Sequence, residues 1–308
     1  MGPTRAWQSA MRRIAGTEAV SDHLEATVAG RALLARFVPG PDVADAMRAA
    51  ADVRLTNRWA SLMRLAAPPS TAADIDATIS AYAAALRALA AAGLAAHRRA
   101  DVTVRPLDLG VALPAGVDAA HKAAQALAAA ARAAGTGLTL ASPRRADTGA
   151  SRAVASAVVR DFPETRIGIR TDLARAESDC AALFSDGVSI VLVAGDADTH
   201  RRFIRCVRLL ADADAAAVFA VHDPQLVAMV TSIVRRTGVD PARFEFAMPY
   251  GARPDLQRRI ADRGHQVRVV VPWGVAWRDL VAARLSERHR GAWFLARSLT
   301  DRGLAPIP

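Results

Sequence analysis

Short apolar runs alternate with longer amphipathic segments along most of the chain. Residues 244–299 show the order clearly, with apolar runs at 244–248 and 267–271 and helical patterns at 252–263 and 276–288. A short run of β-branched and apolar residues between turn signals predicts a buried strand, whereas apolar residues one turn apart predict a helix. Strand, helix, strand, helix is the order typical of a parallel α/β protein.

The same alternation continues upstream and predicts eight strand–helix units. The predicted strands cover 58–65, 102–105, 138–141, 167–169, 188–193, 216–221, 244–248 and 267–271. Strands this short and this continuously apolar suit a sheet that is buried on both faces, and eight regular units favour a closed barrel over an open sheet. No GxGxxG follows a strand, which argues against a Rossmann dinucleotide site.

We therefore predict an α/β fold: a single (β/α)8 TIM-type barrel with an N-terminal helical extension. The extension is expected at residues 1–30, the barrel at 31–303 and a C-terminal tail at 304–308. Asp42 is the expected N-cap of a helix that precedes the first strand.

Basic residues give the chain a formal net charge of +10. Lys122 is the only lysine, so almost all of this charge is arginine, spread along helical segments among alanines. Aromatic residues make up 5% of the chain, which is too few for a platform of stacked bases. We therefore expect no specific nucleic-acid partner, and the arginines suit a small anionic or amino-acid ligand.

No run of 18 uninterrupted apolar residues occurs, because Arg87 interrupts the alanine-rich stretch at 81–96, and we expect no transmembrane segment. The N-terminus is basic but lacks the apolar segment of a secretory signal, so we expect a cytoplasmic protein. Cys180 and Cys206 lie in helical patterns without metal-ligand spacing. We expect buried thiols, no metal site and no disulfide.

Segments near the C-terminal end carry a pattern known from an enzyme family. They read EFAMPYGARPDLQRRI at 245–260, VPWG at 271–274 and LVAARLSE at 280–287. The chain resembles the proline dehydrogenase family, whose members carry EFQMLYGxRxDLQRRL, then VPYG, then a helix with YxxRRxxE. The sequence RFVPG at 36–40 is similar to the family's RFVAGE. The resemblance extends over about 32–300 and also implies a (β/α)8 barrel.

This resemblance implies FAD-dependent oxidation of L-proline to pyrroline-5-carboxylate, in proline catabolism, with electrons passing to a quinone. The flavin performs the chemistry, so the protein must hold the substrate carboxylate, a task suited to bidentate arginines. The family's last-helix tyrosine, two arginines and glutamate correspond here to Leu280, Ala283, Arg284 and Glu287. By resemblance, Arg284 and Glu287 are the expected catalytic residues, together with Arg105 in place of a family lysine.

Cofactor contacts are expected where the strands end, because the sites of such barrels lie at the carboxyl ends of the strands. Arg170 stands where the family has a glutamine that contacts the flavin, and His222 with Asp223 matches the family's His-Asp pair. Met248 ends the seventh strand inside the first motif. The resemblance and the barrel rule together make these four the expected FAD-binding residues.

Replacements at other family positions leave three functions open. The replaced positions are Ala141, Val191, Ala194 and Ala197. The chain could oxidise proline or a related compound with a regrouped arginine clamp, it could be a catalytically inactive relative used in binding or assembly, or it could bind a different anion. Arginines predicted at the barrel mouth favour the third function. They are Arg64, Arg105, Arg144, Arg145, Arg170 and Arg284.

Three of the expected site residues also have simpler structural explanations. Asp223 precedes Pro224, an order that suits the N-cap and first position of a helix. Arg284 and Glu287 are spaced to pair with each other on a solvated helix face.

Overall fold

The computed structural model describes residue 26 and residues 28–114, 116–143, 145–195, 199–278 and 280. Within them, eight parallel strands close into a barrel in sequence order. The strands are β1 (Trp59–Arg64), β2 (Ala100–Val104), β3 (Leu138–Leu140), β4 (Arg166–Arg170), β5 (Ile190–Val193), β6 (Ala217–Ala220), β7 (Phe244–Pro249) and β8 (Gln266–Trp273).

Helices follow the strands and form the outer ring. Two further helices, α1 (Val28–Phe37) and α2 (Val43–Leu55), precede β1. The others described are α3 (Ala72–Ala91), α4 (Gly116–Ala133), α5 (Thr148–Asp161), α6 (Ala176–Ser185), α7 (His200–Asp212), α8 (Pro224–Thr237) and α9 (Pro254–Asp262). None of the described helices is long and apolar enough to cross a membrane.

The barrel is closed by the pairing of β1 with β8, the two strands farthest apart in sequence. The register runs from Trp59 opposite Arg268 to Arg64 opposite Trp273. Outward-facing residues such as Leu62 and Phe219 are fully buried between the strands and the helices. Each buried side chain of this size contributes roughly 1.5–3 kcal/mol, so this layer supplies most of the driving force for folding.

The prediction of a (β/α)8 barrel is confirmed, and each of the eight predicted strands has a counterpart. The predicted second strand included Arg105, whereas β2 ends at Val104. The strand ends there because Pro106, which lacks an N–H, begins the one-turn 3₁₀ helix Pro106–Leu109. The predicted extension at 1–30 and the helix at 276–288 fall largely outside the described residues.

Side-chain caps fix where several helices begin. The amide of Asp42 donates to Asp45 Oδ2 over 3.1 Å at the start of α2, which places the N-cap where the sequence predicts it. At α3, Thr71 and Asp74 form a reciprocal capping box through amide-to-side-chain hydrogen bonds of 2.9 and 3.2 Å. The bonds from Ser70 and Thr71 lower the pKa of Asp74 to about 2.

Charged side chains fill the amino-terminal end of the barrel interior. Arg166 contacts Asp101 at 2.6 Å and Glu245 at 3.1 Å, and Arg268 contacts the same two carboxylates at 3.1 and 2.7 Å. The network therefore balances two cations with two anions in a buried space. Burial alone would raise the pKa of Glu245, but the attraction of Arg268 and Arg166 outweighs it and lowers that pKa.

The two cysteines lie in neighbouring helices, Cys180 in α6 and Cys206 in α7, and both are buried with free thiols, as predicted. The hydrogen bond between the two thiols and the burial of the site raise the pKa of Cys180. This pKa keeps the Cys180 thiol protonated and unreactive at neutral pH.

Candidate ligand site at the carboxyl end of the barrel

Strand alternation decides which of the predicted residues can reach the barrel interior. Arg166 and Asp101 face inward because they join the buried ion network. Side chains two residues apart share one face of a strand, so Arg170 lies on the inward face of β4. By the same count, Arg105 follows β2 in its inward register.

Arg105 is held by its own loop. It forms a fork on Asp108, with Nε to Oδ2 at 2.8 Å and Nη2 to Oδ1 at 2.7 Å, and Nη2 also donates to the carbonyl oxygen of Ala66. Asp108 is almost fully buried, and burial raises its pKa, although the hydrogen bond and charge of Arg105 oppose the rise. The fork fixes Arg105 at the mouth, because a two-point contact leaves the guanidinium little rotational freedom.

Arg170 forms the same kind of fork on a neighbouring aspartate. Its Nε and Nη2 donate to the two carboxylate oxygens of Asp172, each at 2.9 Å. The intervening Thr171 joins the loops after β4 and β5: its hydroxyl accepts from the amide of Gly195 at 3.1 Å, and its carbonyl accepts from Arg202 at 3.0 Å. The residue predicted to contact flavin is therefore part of a braced loop pair.

Asp223 begins α8 as its N-cap. Its Oδ1 accepts hydrogen bonds from the amides of Gln225, at 2.8 Å, and Leu226, at 3.3 Å, and Pro224 occupies the first helical turn. These contacts match the capping role that the sequence allows. His222 precedes it, two residues after β6 ends, and is half-buried.

Two of the predicted mouth residues face outward, towards the helices. Side chains alternate between the two faces of a strand, and Glu245, three residues before Met248, faces the interior. Met248 therefore faces outward and is fully buried in the layer between β7 and the helical ring. Arg64 is similarly directed away from the axis, and its Nη1 donates to Thr78 of α3 at 3.2 Å. The predicted convergence of arginines therefore does not include Arg64.

The loop after β3 covers part of the inward face of β4. The backbone nitrogen of Ser142 would lie 2.3 Å from a Cβ placed on Gly168, so the loop packs directly on that glycine. Ala141, at the position of the family aspartate, belongs to this loop and carries no polar group. The mouth is consequently narrowed on the side of β3 and β4.

Several predicted site residues lie outside the described part of the chain. Arg284, Glu287, Ala283, Arg144 and Ala197 fall in this group, and the side chain of Arg145 is not described either. The expected clamp in the last helix therefore stays a prediction.

Glycines of the two best-preserved motifs pack the C-terminal strands of the barrel against residues that come before and just after β1. Gly251 has φ +70°, and a Cβ there would lie 2.0 Å from the carbonyl oxygen of Arg36 in α1. Gly274 has φ +119°, and its Cβ would lie 2.4 Å from the carbonyl oxygen of Leu65. The amide of Gly274 also donates to Gly40 over 3.1 Å, so the VPWG and RFVPG segments meet.

Gln257 of the DLQRR segment is a further internal tie. Its Nε2 donates to the carbonyls of Pro249, at 3.1 Å, and Ala252, at 2.7 Å, and its Oε1 accepts from Arg58 just before β1. The residue is 2% exposed. Gln257 therefore ties together β7, α9 and the segment that leads into β1.

Two aspartates neutralise the mouth arginines, and neither was predicted as their partner. Asp108 and Asp172 lie three and two residues after the arginines that they bind, a spacing that allows a local fork. That spacing was the available signal. The buried network of Arg166, Arg268, Asp101 and Glu245 had no such signal, because its members come from four different strands.

Comparison with known proteins identifies what this fold resembles. The sequence model of proline dehydrogenase matches residues 175–282. Proline dehydrogenase 1 of Bacillus subtilis (strain 168) is 32% identical over 83 residues, which cover 27% of this chain and 28% of the relative. Proline dehydrogenase of Deinococcus radiodurans is 33% identical over 103 residues, which cover 33% of each protein. The matched segments thus span a third or less of these relatives.

Solved structures agree on the fold. Proline utilization A (PutA) from Bdellovibrio bacteriovorus, inactivated by N-propargylglycine, superposes with a TM-score of 0.77 at 13% identity, covering 90% of this chain and 36% of that one. PutA from Corynebacterium freiburgense gives 0.65 at 12% identity, covering 96% and 34%. At these identities the likeness concerns the fold alone.

The fold and its mouth define a (β/α)8 barrel protein with paired arginines at the carboxyl ends of β2 and β4. Over residues 175–282 the sequence is similar to the proline dehydrogenase family, as the motifs predict, and the curated relatives agree. The solved structures support the barrel fold.

Of the four residues expected to contact FAD, Met248 is directed away from the barrel interior, and two of the others already bond to neighbouring groups. Met248 faces the helices, the Asp223 carboxylate accepts two helix amides, and Arg170 is forked on Asp172. The expected contacts of Arg170, His222 and Asp223 with FAD stay predictions.

Proposed function

We propose that this protein acts in proline catabolism as a proline dehydrogenase-type oxidoreductase. Its reaction would be the FAD-dependent oxidation of L-proline to pyrroline-5-carboxylate, with a quinone as electron acceptor. The observation that carries the proposal is the match to the proline dehydrogenase family over residues 175–282, which include β5 to β8 and the loops that end at the barrel mouth.

The chain's own part in this reaction would be to hold the substrate carboxylate. Arg105 is fixed at the mouth by its fork on Asp108, so little side-chain entropy would be lost when a carboxylate binds beside it. Arg284 and Glu287 remain the proposed catalytic pair in the last helix. We further propose that the protein is located in the cytoplasm.

A visible absorption spectrum is the first test. The purified protein is mixed with excess FAD, passed through a desalting column, and scanned; dye reduction by L-proline is then measured. We expect a retained flavin spectrum and proline-dependent dye reduction. A colourless protein that also fails to retain added FAD would contradict the proposal of a flavin-dependent oxidoreductase.

A second candidate function is that of a catalytically inactive relative that binds a small anion or assists assembly. It is favoured by the state of the expected site: Arg105 and Arg170 are each forked on an aspartate of their own loop, and Asp223 caps a helix. Each group thus has a structural task that needs no turnover.

Calorimetric titration with L-proline separates the two candidates. A colourless protein that binds L-proline, and loses that binding when Arg105 is changed to Gln, would support the inactive binder. Absence of heat with proline, in wild-type protein that unfolds cooperatively, would rule out proline as the ligand of this inactive relative.

A further inference from the structure

A groove of about 510 Å³ runs along the outer surface of the barrel between α7 and α8. The two helices pack side by side in the helical ring, and the groove follows the line of contact between them. It lies outside the barrel and is built from residues that none of the proposed site functions use.

The α7 wall carries a row of arginines beside an aliphatic residue. Arg201, Arg205 and Arg208 are spaced four and three residues apart, which places them on one helix face, and Ile204 lies next to them. At about 1.5 Å of rise per residue, the row from Arg201 to Arg208 is roughly 10 Å long, or two helical turns.

The α8 wall supplies the apolar floor and a facing cation. Met229 and Ile233 are one turn apart, and Arg236 stands one further turn along. Met229 is 51% exposed, so much of its side chain is open to a ligand in the groove. Methionine adapts its shape to a partner surface, so an exposed methionine in a groove suits docking.

Three of the groove's arginines have no partner among the described residues. Arg205 binds Glu177 of α6 at 2.7 Å, but Arg201, Arg208 and Arg236 are exposed and make no hydrogen bond or ion pair within the described part of the chain. Like-charged side chains along both walls of an apolar floor repel one another, and an anionic partner would relieve that repulsion.

We propose that this groove docks an acidic amphipathic helix of a partner protein. An aliphatic stripe on the helix would cover Ile204, Ile233 and Met229, and glutamates or aspartates on either side would pair with Arg201, Arg208 and Arg236. The basic row is two helical turns long, and the apolar anchors of a docked helix, at positions i, i+3, i+4 and i+7, extend over the same two turns. The chain's net charge of +10 would speed the encounter with an acidic partner.

The shape of the groove favours a helix over other anions. Small molecules are usually enclosed by their sites, whereas the rim arginines and Met229 here are all exposed. A membrane surface would be met by several protruding apolar side chains, whereas Met229 is the one exposed apolar residue that lines the described groove; Ile233 is buried and Ile204 half-buried. A nucleic-acid backbone would leave this apolar floor uncovered.

Fluorescence anisotropy with a labelled peptide tests the proposal on the full-length protein. The probe is a helical peptide of about 18 residues, roughly 27 Å long, with a leucine stripe flanked by glutamates. Its control has the same composition in scrambled order. We expect saturable binding of the striped peptide, weakened at least about fivefold by Arg208→Glu and by Arg236→Glu, and little binding of the scrambled peptide.

Arg235→Glu is the matched control variant. Arg235 is exposed in the same last turn of α8 and does not line the groove, so its reversal changes the net charge equally and should leave binding within about twofold. Equal weakening by Arg235→Glu and Arg236→Glu, equal binding of the scrambled peptide, or full displacement by inorganic tripolyphosphate at low concentration would each overturn the proposal.

Discussion

Arg268 is a charge that the protein keeps almost entirely away from water. Its side chain is 4% exposed, and it binds Glu245 and Asp101 while donating to the backbone carbonyls of Ala60 and Arg98. An ion pair of this kind is costly to leave half-made, because removing one member strands the others without solvent. The exposed pairs on the helices do not have this property.

We expect Arg268→Ala to lower the free energy of unfolding by about 3–5 kcal/mol, since Glu245 would lose its nearest cation in a buried space. Urea unfolding followed by circular dichroism measures this change.

Arg258→Ala is its control at the surface. Arg258 pairs with Asp255 in α9, both side chains are well exposed, and we expect a change within about 0.5 kcal/mol. Similar losses in the free energy of unfolding for the two variants would mean that the buried network contributes no more than an exposed ion pair.

At the scale of elements, the turn after β7 depends on one residue without a side chain. The backbone of Gly251 has a left-handed φ and approaches the last turn of α1 so closely that no Cβ fits. The turn thereby aligns α9 and also anchors α1.

We expect Gly251→Ala to be more destabilising than Gly264→Ala. Both glycines have positive φ, which costs an alanine about 1–2 kcal/mol, but only Gly251 meets a neighbouring backbone, whereas nothing lies within 4 Å of a Cβ at Gly264. The midpoints of urea denaturation of the two variants provide the comparison. Equal midpoints would show that α1 moves away from the added Cβ without a further loss of stability.

Regular elements were predictable here because the pattern of each one is local. The apolar run of β8 and the Asp42 cap can each be recognised from a few consecutive residues. The forks at Arg105 and Arg170 were within reach, since their aspartates are adjacent in sequence. The contact of Arg166 with Glu245 was not, because it depends on the register of strands 79 residues apart.

At the scale of the whole molecule, the network inside the barrel ties stability to pH. The folded protein lowers the pKa of Glu245 from its ordinary value of 4.5. Its contribution is therefore fully present above pH 4.5 and is lost as the pH falls through the lower, folded value.

We expect Glu245→Gln to flatten the acid limb of the stability profile. The variant should be less stable than the wild type at neutral pH, and the difference should shrink as the pH falls below 4.5. Urea unfolding at a series of pH values measures it. A constant difference across that range would contradict the assignment.

The joint formed by Gly251, Gln257 and Gly274 has a consequence for how such proteins are recognised. These residues tie the last quarter of the barrel to its first helix and strand, a task that the closed fold imposes whether or not the barrel catalyses a reaction. Selection for a closed barrel can preserve this signature after selection for turnover has ceased. Signatures of this sort therefore report the architecture of the barrel, and the residues that bind a ligand are found at other positions of the chain.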